Sequence, residues 1–230
     1  MLHRVTSGGV RYVGQRLGLL FVFACILFSC AGRWNWPRGW AYVVTVLLLE
    51  ISTLSLLAAR APETLNQRGI GHSGIKSFDK VFAVLWLALS LGAPAVAGLD
   101  AVRFHWSSLP GSMFYIGLMI LVLAFAFATW AMLENEHFEQ FVRIQQERGH
   151  RVVTTGPYRF VRHPGYLAAI LGALATPLML GSAWTFVPAG LLGLLFAVRT
   201  HLEDETLRRE LDGYKEYSIR TQFRLLPFIW

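Results

Sequence analysis

Of the 230 residues, 54% are hydrophobic and only 15% charged, and the mean hydropathy is +0.46. This balance excludes an ordinary soluble domain, because several windows exceed the roughly 18 nearly uncharged residues that mark a bilayer span. The formal net charge of +7 would suit nucleic acid by its sign, so its distribution along the chain decides what it means.

The apolar runs predict six spans, near 17–32, 37–59, 81–99, 110–133, 164–181 and 183–200. The expected fold is all-α, an integral membrane helical bundle with several passes. If the N- and C-termini are both cytoplasmic, every Lys and Arg except Arg33, Arg38 and Arg103 falls on the inner side, as the positive-inside rule expects. The basic excess then reports topology and attraction to anionic lipid. The bilayer is a partner, and nucleic acid is not expected.

The first run holds both cysteines, Cys25 and Cys30. They are five apart and so not on one helix face, which suits packing better than a disulfide or a metal. Arginines ahead of a short apolar run ending in Leu27-Phe28-Ser29-Cys30 resemble a processed signal segment. The bulky Phe28 and the following Trp34, Trp36 and Trp40 favour a retained span. Residues 60–80, rich in Gly, Pro and Asn, read as a solvated connector, with His72 and Asp79 its candidates for a site.

Polar residues gather after position 133. Residues 134–148 interleave charges with Phe138, Phe141, Val142 and Ile144, which predicts an interfacial helix continuing out of the fourth span. Glu134-x-x-His137 and Glu147-x-x-His150 have the spacing of carboxylate-bridged metal bundles. Such bundles need further carboxylates on facing helices, the first three spans supply only Glu50, and Gly149 interrupts the second copy. No metal is expected. The chain divides into a transmembrane region, 1–133, and a more polar region, 134–230.

The block at 150–166, HRVVTTGPYRFVRHPGY, has two readings. It is either a basic loop anchored by Tyr158 and Tyr166, or a shaped set of histidines, tyrosines and backbone donors beside a helix that starts at Pro164. Two apolar runs follow, separated by Gly181-Ser182-Ala183, so short a joint that a helical hairpin with both ends cytoplasmic is expected. Arg199 and Glu203 sit four apart at its end and share a helix face; ionisable groups at the edge of a span are candidate functional residues. The tail 201–217 predicts a helix with Leu202, Leu207 and Leu211 as its apolar stripe, and 220–230 an amphipathic end lying on protein or lipid. The block and the tail thus leave the two ends of one hairpin and can form a single cytoplasmic site.

TTGPYRFVRHPGY, then a hairpin, then R-x-x-x-E-D-x-x-L, resembles the isoprenylcysteine carboxyl methyltransferase family and the related phospholipid methyltransferases. The resemblance covers roughly 134–230. It implies a membrane enzyme that uses S-adenosylmethionine, with the C-terminal segment closing over the cofactor. Carried over by position, it implies cofactor contacts at Gln145, His150, Arg151, Val152, Val153, Tyr158, His163, Pro164, Gly165 and Tyr166. It also implies Glu203 for the cofactor's amino group, and Arg199 as a catalytic, substrate-binding arginine. The family pattern usually has two glutamates where this chain has Glu203-Asp204.

The residue chemistry is compatible with that implication. The cofactor needs an acid for its ammonium, donors for its carboxylate and ribose, and an apolar or aromatic wall for adenine. A carboxylate acceptor, with an ordinary pKa of about 4, needs no general base, so alignment and exclusion of water suffice. A lipid-like or prenylated carboxyl acceptor is therefore expected first. Phospholipid N-methylation is the alternative, followed by a sterol-reductase-like enzyme and a non-catalytic membrane protein.

Overall fold

The computed structural model describes residues 4–71 and 74–230; His72, a site candidate above, lies outside the described residues. Among these the regular structure is helical: α1 (Ser7–Ala31), α2 (Pro37–Arg60), α3 (Pro62–Arg68), α4 (Ser77–Gly98), α5 (Gly111–Glu134), α6 (Pro164–Leu180), α7 (Phe186–Glu210) and α8 (Tyr214–Arg220). A π-helical turn, Leu99–Phe104, prolongs α4. Proline begins α2, α3 and α6, where its fixed φ suits the first turn and its missing N–H costs nothing. Gly32 and Gly181 end α1 and α6 at φ 71° and 79°, the left-handed conformation that glycine adopts without a Cβ clash.

Among the described residues, five helices are long and apolar enough to cross a membrane: α1, α2, α4 with its prolongation, α5 and α7. The sixth predicted span, α6, has 17 residues. At about 1.5 Å per residue it is a few ångströms short of a bilayer core roughly 30 Å thick.

Apolar transfer does not drive helices together in lipid, so close packing of small residues must. Gly117 of α5 lies against Ala175 and Met179 of α6, and Gly98 of α4 against the Leu27 carbonyl of α1, both with no room for a Cβ. Gly69 meets the Gly8 backbone in the same way, holding α3 to the start of α1. Asn66 reinforces this contact, accepting from Thr6 N–H at 2.8 Å and donating to the Arg4 carbonyl at 3.1 Å. One apolar core, around Leu27, Ala97, Leu121, Ala175 and Met179, closes the bundle towards the α6–α7 joint. A second, around Tyr12, Leu54, Leu57, Leu65 and Met132, lies towards the opposite end.

Two expectations are corrected. Residues 134–148 do not form a helix: α5 stops at Glu134, and the chain runs irregularly to a single 3-10 turn at Gln146–Arg148. Tertiary bonds override the local pattern, since Val142 N–H donates to Asp79 at 2.7 Å, Lys76 N–H donates to the Val142 carbonyl at 3.3 Å, and Gln140 donates to the Arg68 carbonyl at 2.9 Å. Nor is 60–80 a bare solvated connector. It contains α3, whose Thr64, Leu65 and Asn66 are buried, and it delivers Asp79 to the interior with no exposed surface. The tail is helical as expected, but in two pieces, with Gly213 at φ 79° between α7 and α8.

Candidate functional site

A cleft enclosing about 820 Å³, its open mouth included, lies where the irregular segment 135–153, the start of α6, the end of α7 and α8 meet. Gln145, His150, Arg151, Val152, Val153, Tyr158, His163, Pro164, Gly165, Tyr166 and Glu203 all line it. Residues 58 positions apart in sequence therefore face one space. Arg199 does not line it.

Glu203, half-buried on α7, accepts a hydrogen bond from the Tyr166 hydroxyl at Oε2. Tyr166 stacks on the His163 ring at 5.5 Å, nearly parallel. Gly165 meets the Phe138 ring so closely that a Cβ would collide with it. Tyr158, buried by the turn Gly156–Arg159, accepts from the Asn135 amide at 3.1 Å, and burial pushes its phenol above the ordinary tyrosine range.

The histidine side of the cleft is braced by Gln145, which is nearly fully buried. Its amide donates to the His137 carbonyl at 2.7 Å and its oxygen accepts from Arg148 at 2.6 Å. Gln145 N–H approaches His150 Nδ1 at 3.4 Å, and the His137 and His150 rings stand 4.6 Å apart. Burial, and then the proximity of His137, Arg143 and Arg148, pushes His150 down to about 4; burial also lowers His137. Both rings are neutral at pH 7. His137 Nε2 is buried without a hydrogen-bond partner.

Asp204 is committed elsewhere. With no exposed surface, it accepts from Arg162 at 2.8 and 3.0 Å, Tyr214 at 2.8 Å and Arg224 at 3.1 Å. Arg162 also donates to the carbonyls of Thr221 and Gln222, both at 2.8 Å. Backbone bonds from Arg162 and His163 N–H to the carbonyls of Phe223 and Arg224 lay the C-terminal segment along the block.

Arg199 and Glu203 share a face but do not pair. Arg199 instead reaches Asp79 of α4, Nε to Oδ1 at 2.8 Å and Nη2 to Oδ2 at 3.1 Å, and donates to the Gln140 carbonyl at 2.7 Å. Its guanidinium lies over the rings of Phe82 and Tyr166, at 4.1 and 4.9 Å from their centroids. Arg199 thus stands behind Tyr166, one side chain removed from the cleft.

Sequence reasoning missed His137, Leu207, Leu211, Tyr214 and Tyr217 as lining residues. His137 was visible in Glu134-x-x-His137, but that pattern was weighed only as a metal site. Among the described residues no group of three or more His, Cys, Asp or Glu gathers to hold a metal. Asp79 as partner of Arg199 was also missed; the signal was an acid just ahead of an apolar run.

A second, larger cavity of about 1540 Å³, its open side included, lies among the helices, its wall mainly apolar and drawn from α1 to α7. Phe138 and Gly165 line both spaces. The cavity also holds an ion pair, Arg16 with Glu50, and the guanidinium of Arg68.

Fold and site together define a multi-pass helical protein of membrane character, with a polar cleft at one end of its apolar helices beside a cavity within them. Residues 116–209 match the model of the isoprenylcysteine carboxyl methyltransferase (ICMT) family. The "Probable protein-S-isoprenylcysteine O-methyltransferase" of Oryza sativa subsp. indica is 31% identical over 118 residues, covering 50% of this chain and 61% of the rice protein. The human "Protein-S-isoprenylcysteine O-methyltransferase" is 24% identical over 213 residues, 91% of this chain and 72% of that protein, and the Xenopus laevis protein of the same name 25% identical over 217 residues. The match to the rice relative spans about three fifths of its length.

Proposed function

We propose that this chain is an integral membrane methyltransferase that uses S-adenosylmethionine to methylate the carboxyl group of a lipid-like or prenylated acceptor. The observation that carries the reading is the meeting of two unlike spaces at Phe138 and Gly165. One is polar and furnished for a zwitterionic nucleotide-like ligand; the other is apolar and set among membrane helices. The names of the relatives, with their prenylated cysteine substrates, support the same pairing.

The cleft residues fit the cofactor on their own chemistry. Glu203 keeps one carboxylate oxygen without a protein hydrogen bond and suits an ammonium. His137 Nε2, without a hydrogen-bond partner and 3.6 Å from Glu136 Oε1, is left as an acceptor because Nδ1 faces the Gln145 amide oxygen, and it suits a ribose hydroxyl. Leu207, Leu211, Tyr214 and Tyr217 offer an apolar and aromatic wall for a base. When bound, the cofactor supplies an already activated methyl group. The protein's own part is to hold the acceptor oxygen in line with it and to keep water out. Tyr166, fixed by Glu203, His163 and Arg199, stands at that boundary. In this reading α6 and α7 form a helical hairpin whose open end, the cleft and both chain termini face the cytoplasm.

Titration of S-adenosylmethionine into the detergent-purified protein tests the cofactor assignment. Wild type is expected to bind at micromolar concentration and Glu203→Ala to lose at least tenfold, about 1.4 kcal/mol. No binding by folded wild type, with or without lipid, contradicts the assignment.

A further inference from the structure

The family resemblance assigns the acceptor to Arg199, but the charge of Arg199 is already matched by Asp79 and its Nη2 donates to Asp79 and the Gln140 carbonyl, although its Nε, 2.8 Å from Asp79 Oδ1, makes no aligned hydrogen bond. Arg16, a partly exposed arginine on the cavity wall, is held by Glu50. Arg68 differs from both. It closes α3, its guanidinium carbon lies over the rings of Tyr12 and Phe138 at 4.9 and 5.2 Å, and it lines the cavity beside Phe138, where cavity and cleft meet. Its hydrogen bond to the Phe138 carbonyl is long, at 3.4 Å, and its Nε is buried without a partner. Among the described residues no carboxylate pairs with it.

A guanidinium kept in place by two aromatic faces, with a donor unspent, is an anion site awaiting its anion. Arg68 is half-buried with its Nε covered, so its unpaired charge bears part of the cost of a buried ion, which a ligand carboxylate would offset in the bidentate geometry arginine prefers. We infer that Arg68 anchors the acceptor's carboxylate at the junction of cavity and cleft, while the acceptor's apolar chain fills the cavity. The inference rests on the methyltransferase reading and deepens it: the acceptor is an anionic amphiphile, and Arg199 acts as a positioning residue through Tyr166.

The test compares an N-acetyl, S-prenylated cysteine with its neutral carboxamide, as competing ligands for the intact protein in lipid-supplemented detergent. Wild type is expected to bind the carboxylate at least tenfold more tightly. Arg68→Met, which preserves most of the stem packing, is expected to bring the two within about twofold and to raise KM far more than it lowers kcat. Arg68→Lys, retaining the charge without the planar fork, should restore part of the preference, and it carries the test if Arg68→Met does not fold. S-adenosylmethionine binding should survive both substitutions, which separates this inference from the cofactor assignment. An unchanged carboxylate preference in the folded variants overturns the inference. So does an amino-phospholipid that competes as well as the prenylated carboxylate and loses its affinity with Arg68→Met, since the anion would then be a phosphate.

Discussion

Adjacent acids on α7 have opposite fates. Glu203 turns to the cleft with one bond from Tyr166, whereas Asp204 turns inward to a cluster of arginines and a tyrosine. A helix step of about 100° between neighbours is enough to separate ligand chemistry from architecture. The histidines behave similarly. His150 is held near 4 against an ordinary value of 6.5, so its protonation favours the unfolded chain. Stability from this group is constant above about pH 6.5 and falls as pH drops from there towards 4, because the unfolded state takes up the proton first. Thermal melts between pH 8 and 4.5 should show that decline. His150→Gln should flatten it, and an unchanged slope would contradict the assignment.

At the scale of elements, Asp204 fastens four pieces together: the residues entering α6 through Arg162, α7 itself, α8 through Tyr214 and the C-terminal segment through Arg224. Removing one member of a buried charge network costs about 3–5 kcal/mol. Asp204→Asn is therefore expected to melt at a markedly lower temperature and to expose the segment after Gly213 to limited proteolysis, with wild type resistant. Equal proteolytic rates would show that the segment is held by other means. The apolar helices were legible in the sequence because a span needs a long uncharged run, and Pro37, Pro164, Gly32 and Gly181 marked their ends. The segment 135–148 was not legible. Its interleaved phenylalanines mimic an amphipathic helix, but Val142 and Gln140 spend their backbone and side-chain bonds on α3 and α4, partners no local pattern reveals. Arg199 was found for its position, but its partner Asp79 was not, for the same reason: the two are 120 residues apart.

For the whole molecule, the essential arrangement is a polar cleft and an apolar cavity sharing Phe138 and Gly165. The family resemblance had named the residues around the cleft, while the cavity emerges only when the helices are assembled, since its wall draws residues from seven of them. In the proposed function such an arrangement would bring a water-soluble donor and a membrane-soluble acceptor to one point. Within that proposal Arg68 favours a carboxylate acceptor, which is ionised without help. The most direct measurement is transfer of labelled methyl from S-adenosylmethionine to a prenylated cysteine by the purified protein in lipid, followed by mild base. The account predicts that the product's label is released as methanol, the mark of a methyl ester, and that Glu203→Ala abolishes the transfer. Label that survives base, as on nitrogen, or no transfer by folded protein that binds the cofactor, would contradict it.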